Sequence, residues 1–175
     1  IINFKMGVGI LSGTKVLVGD GDTKSILKQR GYGEEVEGQH VISIIEAVYL
    51  LEQGALEIMS GGEKLSVEDL IGAGGKAEQH FYNKYLVYRD LRNRGLLVRS
   101  GLKFGSDFRI YERGGKLGEA HSTKLVHVVP EEYTCSFPEL SRAIRLAGNV
   151  NKQMIYAIVD EESDITYYLV DRVKL

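Results

Sequence analysis

From Met154 to Val159 the chain runs through six apolar residues without a break. The run is too short to cross a bilayer. It reads as a strand buried on both faces, which needs a neighbour on each edge and cover above and below. After an acidic stretch, Ile165, Tyr167 and Leu169 alternate with polar or exposed positions, the pattern of a strand with one wet face. The stretch between, Asp160 to Asp164, reads as a hairpin loop. Upstream, Ser136-Phe137-Pro138-Glu139 is a capping box with proline in the first turn. It predicts a helix through Leu146, ended by Gly148. A helix feeding a fully buried strand implies a mixed sheet carrying helices, and so an α/β (mixed α+β) fold.

The same reasoning extends toward the N-terminus. Leu96–Arg99, Asp107–Tyr111 and Lys124–Val129 read as strands. Ala77 to Arg94 reads as a long helix with Phe81, Tyr85, Tyr88 and Leu91 on one face and Gly95 ending it. In the first half, Lys15–Val18 reads as a strand and Gly19–Asp22 as a turn. Val41–Gln53 reads as a helix closed by Gly54. Ser66 with Asp69 marks another helix start, which Gly72, Gly74 and Gly75 are expected to break. The domain boundary falls near Gly75, giving domains 1–75 and 76–175.

Composition bounds the function. A lone cysteine, Cys135, excludes an internal disulfide framework and leaves too few thiols for a zinc knuckle. No charged-then-apolar segment opens the chain, which reads as soluble and cytoplasmic, with no membrane partner. A net charge of −2 is unpromising for nucleic-acid binding. The charge is uneven, however: Lys84 to Lys116 holds nine basic residues against three acids. Glu34, Glu35 and Glu37 form one acidic cluster, and Asp160, Glu161, Glu162 and Asp164 form another. Each cluster alone is also what a solvated face looks like.

Dinucleotide and Walker phosphate-binding loops are absent from the sequence, as are the nucleophile-elbow and zinc-protease motifs. Two readings of the chemistry remain open from the residues themselves. One is a metal-dependent nuclease in which Asp107 and Glu119, with Lys124 nearby, hold a divalent ion. The other turns on His121. It follows the glycines at 114, 115 and 118 and precedes a strand, and a histidine there exchanges protons near neutral pH.

Four blocks carry a more specific signal. Lys84-Tyr85-Leu86-Val87-Tyr88-Arg89-Asp90-Leu91-Arg92, with Arg94-Gly95 and Val98, is the first. Gly101-Leu102-Lys103-Phe104-Gly105-Ser106-Asp107-Phe108-Arg109-Ile110-Tyr111 is the second. His121-Ser122 with Leu125-Val126 is the third, and Val150-Asn151-Lys152 with Ala157-Ile158-Val159-Asp160 the fourth. In order and spacing they resemble the catalytic domain of the archaeal-type tRNA-splicing endonuclease (tRNA-intron endonuclease) family, over nearly everything from residue 77 onward. Gly31 to Gly54, with Glu46-Ala47-Val48-Tyr49-Leu50-Leu51, adds a weaker match to that family's first domain.

The resemblance implies a small N-terminal α/β domain for assembly and a C-terminal catalytic domain with a restriction-endonuclease-like mixed sheet. It implies a triad of Tyr111, His121 and Lys152 that works without metal or other cofactor on precursor tRNA folded as a bulge-helix-bulge. Tyr111 would take the 2′-hydroxyl proton, His121 would protonate the leaving 5′-oxygen, and Lys152 would steady the charge on phosphate. Arg145, and with it Arg172, would clamp an unpaired base, a role for which Arg142 competes. Where the family usually carries a basic residue beside the lysine, this chain has Asn151. The acidic loop Asp160, Glu161, Glu162 and Asp164 would insert into a basic groove of a neighbouring copy, drawing on Lys15, Lys24, Lys28 or Arg30. The last strand, Ile165–Val173, would meet its equivalent across a two-fold axis. The implied assembly is a homotetramer. A non-catalytic structural subunit of such an endonuclease is the remaining alternative.

Overall fold

The computed structural model describes residues 7–111, 121–173 and 175. The chain forms two compact units, Ile1–Tyr85 and Leu86–Leu175. In the first, the elements in chain order are β1 (Val8–Ser12), β2 (Lys15–Val18), α1 (Gly21–Gln29), β3 (Glu34–Val36), β4 (Gln39–Ser43), α2 (Ile44–Glu52), β5 (Glu57–Ser60), β6 (Glu63–Lys64) and α3 (Val67–Ala77). Helix α4 (Phe81–Asn93) crosses from the first unit into the second. Then come β7 (Leu97–Ser100), a 3-10 turn (Leu102–Phe104), β8 (Phe108–Tyr111), β9 (Lys124–Pro130), α5 (Phe137–Asn149), β10 (Gln153–Val159) and β11 (Ile165–Val170).

The first unit is a sheet in the order β3-β4-β2-β1-β5-β6, antiparallel except where β1 meets β5. Its core gathers Val16, Val18, Leu27, Ile42, Val48, Leu50 and Ile58, all nearly sealed from solvent. The helix expected over Val41–Gln53 starts three residues later. Ser43 takes the cap, its side chain accepting from the Glu46 N–H while Glu46 reaches back to the Ser43 N–H at 2.8 Å. Val41 and Ile42 instead extend β4 beside β2. The turn expected at Gly19–Asp22 is the entry to α1, with Asp20 as its N-cap.

Two further expectations change. Helix α3 does not break at Gly72, Gly74 and Gly75 but runs through them to Ala77. The reason is packing at one of the three: a Cβ on Gly74 would come within 2.4 Å of the Phe81 ring. Bare backbone at Gly74 lets that ring pack, and the tertiary contact offsets the poor helix propensity of glycine. The helix expected from Ala77 then begins only at Phe81, after His80 takes a positive φ of 55°. Gly54 and Gly95 follow their helices in the left-handed region, as the sequence predicts.

The second unit is a sheet in the order β11-β10-β9-β8-β7, with only the β9/β10 pair parallel. Strand register separates its faces. Leu125, Val129, Met154 and Tyr156 pack with Ala147, Leu140 and Ala143 of α5. On the other face, α4 sets Tyr88 against Phe108, ring centroids 5.8 Å apart. There the Tyr167 hydroxyl donates to Asp90 at 2.7 Å, and Arg94 Nε donates to the same oxygen at 2.7 Å. The expected strands and the α5 capping box are present; α5 runs past Gly148 to Asn149, and β11 stops at Val170, short of Val173.

Candidate active site

Three adjacent strands end together at one edge of the second sheet. Tyr111 closes β8, where Ile110 faces Lys124 at the start of β9. Lys124 in turn faces Gln153 at the start of β10. Two residues on from His121, the Thr123 N–H donates to the Ile110 carbonyl at 3.1 Å, and the Gln153 N–H donates to the Thr123 carbonyl at 3.0 Å. Tyr111, His121 and Lys152 are thus delivered to the same end of three neighbouring strands. Lys152 Nζ donates to the Ser122 carbonyl at 2.5 Å, tying the lysine to the residue after His121. Ser122 is buried, His121 is exposed, and Tyr111 and Lys152 are half-buried.

The end of α5 aims Lys152. Asn151 lies at φ 55°, and its N–H donates to the Gly148 carbonyl at 3.1 Å. The Lys152 N–H donates to the Ala147 carbonyl at 2.9 Å. These two bonds make a Schellman cap with Asn151 in the left-handed position, which asparagine tolerates better than most side chains. The asparagine that looks like a departure from the family pattern is therefore suited to the turn it occupies.

Among the described residues, two cations, Arg109 and Lys152, stand close together at this end. Burial first, and the Arg109 charge second, hold the Lys152 ammonium below the ordinary lysine range. Arg109 shares its face of β8 with Tyr111, its guanidinium carbon 5.9 Å from the centre of the Tyr111 ring. Neither Arg109 nor Phe104 stands out in the sequence as part of a site; the period of two along β8 is the available signal.

The remaining candidates fall in distinct places. Arg142 and Arg145 are exposed on α5, the latter seven residues before Lys152. Arg172 is exposed beyond β11, on the side where Val170 faces Met154 and so near the Lys152 end of the sheet. The acidic loop lies at the opposite end of β10, about 23 Å away at the usual rise of about 3.3 Å per strand residue. Within it Asp160 serves the loop itself. Its Oδ1 accepts from the Glu162 and Asp164 N–H groups at 2.9 and 2.8 Å. Glu161, Glu162 and Asp164 are exposed. In the basic stretch, Lys84 is paired with Glu78 and Arg94 with Asp90, while Arg113 and Lys116 lie outside the described residues. Of the cations suggested for a groove, Lys28 is paired with Glu35.

Asp107, the carboxylate suggested as a metal ligand, accepts from the Val128 N–H at 2.7 Å and stands 3.2 Å from His127 Nδ1. It is committed to fixing β9. Its suggested companion Glu119 lies outside the described residues.

A tyrosine, a histidine and a lysine gathered at one end of a mixed sheet are side chains of the kind that carry acid–base chemistry. Comparison with known proteins identifies the family. Residues 81–167 match the tRNA intron endonuclease catalytic C-terminal domain, and residues 8–71 match the N-terminal domain of the same family. A tRNA-splicing endonuclease of Thermococcus kodakarensis is 46% identical over 165 residues, covering 94% of this chain and 96% of the relative. One from Methanothermobacter thermautotrophicus is 47% identical over 143 residues, 82% of this chain and 83% of the relative. One from Pyrococcus furiosus is 43% identical over 145 residues, 83% of each. The chain belongs to the tRNA intron endonuclease family.

Proposed function

We propose that this chain cuts precursor tRNA at intron–exon junctions folded as a bulge-helix-bulge, leaving 2′,3′-cyclic phosphate and 5′-hydroxyl ends without a metal. The observation that supports this most directly is the convergence of Tyr111, His121 and Lys152 at one end of β8, β9 and β10, with Lys152 bonded to the Ser122 carbonyl. The roles follow from what the reaction needs. Tyr111 accepts the 2′-hydroxyl proton as the 2′-oxygen attacks phosphorus. Arg109 lies beside it, its guanidinium carbon 5.9 Å from the centre of the Tyr111 ring. His121, exposed at this end of the sheet, gives a proton to the departing 5′-oxygen. Lys152 places a positive charge where charge gathers on phosphate.

In this reading residues 76–175 form the catalytic domain and residues 1–75 the assembly domain. Arg145 and Arg172, both on the Lys152 side, clamp an unstacked base by guanidinium stacking. A splicing substrate presents two cleavage sites, so more than one copy of this single site is required. Four identical chains, joined through the acidic loop and the last strand, supply them in the cytoplasm. Strand β11 is a sheet edge whose Tyr168 and Leu169 are more than half exposed, and a partner there would cover both the edge and its apolar side chains.

The test is incubation of the purified chain with a bulge-helix-bulge RNA in excess EDTA, with the product ends identified. Cleavage to cyclic phosphate and 5′-hydroxyl supports the reading. Cleavage only on adding a divalent ion would favour metal-dependent chemistry. Assembly-dependent cleavage that survives His121→Ala would make this chain a structural subunit.

A further inference from the structure

Two cations share one aromatic ring beside the proposed reacting groups. The Phe104 ring centre lies 5.7 Å from the Arg109 guanidinium carbon and 5.2 Å from Lys152 Nζ. Phe104 is fixed by a tight turn. The Phe104 N–H donates to the Gly101 carbonyl at 2.8 Å, and the buried Ser106 hydroxyl donates to the Phe108 carbonyl at 3.1 Å. A Cβ on Gly101 would come within 2.2 Å of that hydroxyl, so the turn needs glycine there.

The position of Arg109 costs the fold. Its Nε is buried with no hydrogen-bond partner among the described residues, a state that desolvates a donor without return. The strand register sets it directly opposite Arg99 on β7, and like charges in that relation destabilise a sheet. Asp107, just before β8, accepts from the Val128 N–H of β9 and stands 3.2 Å from His127 Nδ1. An arginine kept at a cost, aimed at Tyr111 and Phe104 beside Lys152, is what an anionic ligand would explain.

We propose that Arg109 is a second phosphate-binding cation of the site, holding a non-bridging oxygen of the phosphodiester under attack while Phe104 spaces it from Lys152. This rests on the reading of Tyr111, His121 and Lys152 given above. As the 2′-oxygen–phosphorus bond forms and the phosphorus–5′-oxygen bond breaks, negative charge builds on the non-bridging oxygens. Tyr111 takes up the 2′-hydroxyl proton and His121 releases one to the 5′-oxygen, so protons balance. Two fixed cations then stabilise the transition state more than the ground state. A guanidinium suits the task because its planar fork matches phosphate oxygens.

The experiment is single-turnover cleavage of a bulge-helix-bulge RNA by the full chain carrying Arg109→Gln, Arg109→Lys or Phe104→Leu. The RNA carries at the scissile phosphate either oxygen only or one phosphorothioate diastereomer. Arg109→Gln should be slower by about a hundredfold, the loss typical of one preorganised charge, with Arg109→Lys recovering part of the rate. Wild type should show a penalty for one diastereomer that shrinks in Arg109→Gln, because the cation facing that oxygen is gone. The Tm of Arg109→Gln should hold or rise, since the repulsion with Arg99 is relieved. Phe104→Leu should slow cleavage less. Cleavage by Arg109→Gln at close to the wild-type rate would overturn the proposal. So would slow cleavage with an unchanged sulfur penalty and a lowered Tm, which would mark a packing role. If wild type cuts in EDTA and His121→Ala does not, while Arg109→Gln matches wild type, only the Arg109 role fails. If wild type itself yields no cyclic phosphate, the triad reading falls and this role with it.

Discussion

Lys152 reaches across from the end of α5 to donate a hydrogen bond to the carbonyl of Ser122, 30 residues earlier in the chain. That bond fixes a flexible side chain against the segment that carries His121. A lysine needing to present a charge at one point loses less entropy in binding if it is already held.

Removing the reacting groups should therefore be costly to rate and cheap in binding. His121→Ala and Lys152→Ala are each expected to slow single-turnover cleavage by about a hundredfold or more, the usual effect of losing a positioned acid or charge. RNA affinity should change little, since most of it comes from other phosphate contacts. Tyr111→Phe should be slow as well, though water can partly replace a base. Near-normal rates in both the histidine and lysine variants would end the assignment.

Asn151 provides a test of how Lys152 is aimed. Asn151→Gly should keep cleavage and stability, because glycine takes the left-handed conformation freely. Asn151→Val should cost about 1–2 kcal/mol for a β-branched residue forced there, and cleavage should slow as the lysine loses its register. Equal melting temperatures for the two variants would argue against the cap.

The acidic loop can be tested without damaging its own turn. Asp160 accepts two backbone hydrogen bonds inside the loop, so reversing it would disturb the hairpin as well as any partner contact. Glu161→Lys with Glu162→Lys changes exposed charge only. This pair should convert tetramers to dimers and abolish cleavage, by removing the charge complementarity that fixes a partner. Light scattering showing an unchanged tetramer, or a monomeric wild type at micromolar concentration, would sink the assembly model.

RNA affinity should fall steeply as salt rises, despite the net negative charge, because cations meeting phosphate release counterions. Arg145→Ala should harm cleavage of bulged RNA more than binding of a plain duplex, because a duplex offers no unstacked base for the guanidinium to hold. A flat salt response in a binding titration would contradict this.

His40 sets an acid limit on the first unit. It is fully buried in the first unit. Burial first, then Lys28, depress its pKa below the ordinary 6.5; Glu35, the Tyr32 backbone and Glu46 pull the other way by less. The folded state thus disfavours protonation. The stability contributed by this histidine is complete above pH 6.5 and is lost as pH falls through that value toward the lower folded pKa. Denaturant unfolding of wild type should show this loss on acidification, and His40→Leu should reduce it. An equal acid loss in both would place the sensitivity elsewhere.

Much of the second unit is legible in the sequence because its signals are local. The capping box at Ser136 and Glu139, the apolar run at Met154–Val159 and the alternation after Ile165 each depend on residues a few positions apart, and hydrogen bonding or burial acts at that range. The four sequence blocks also place Tyr111, His121 and Lys152 in order, although not in space. Other features are settled only by residues distant in the chain. Helix α3 passes through three glycines because Phe81 packs onto Gly74, and α2 starts at Ile44, capped by Ser43, because β2 claims Val41 and Ile42. Asp160 is an acid like its neighbours in sequence, and only the closed hairpin makes it the acceptor of the turn. Arg109 looks like one more member of a basic stretch until β7 sets Arg99 against it and the turn at Gly101 brings Phe104 between it and Lys152. Periodicity says which way a side chain points from its own strand; which charge or ring it meets there is decided by the packing of strands that lie far apart along the chain.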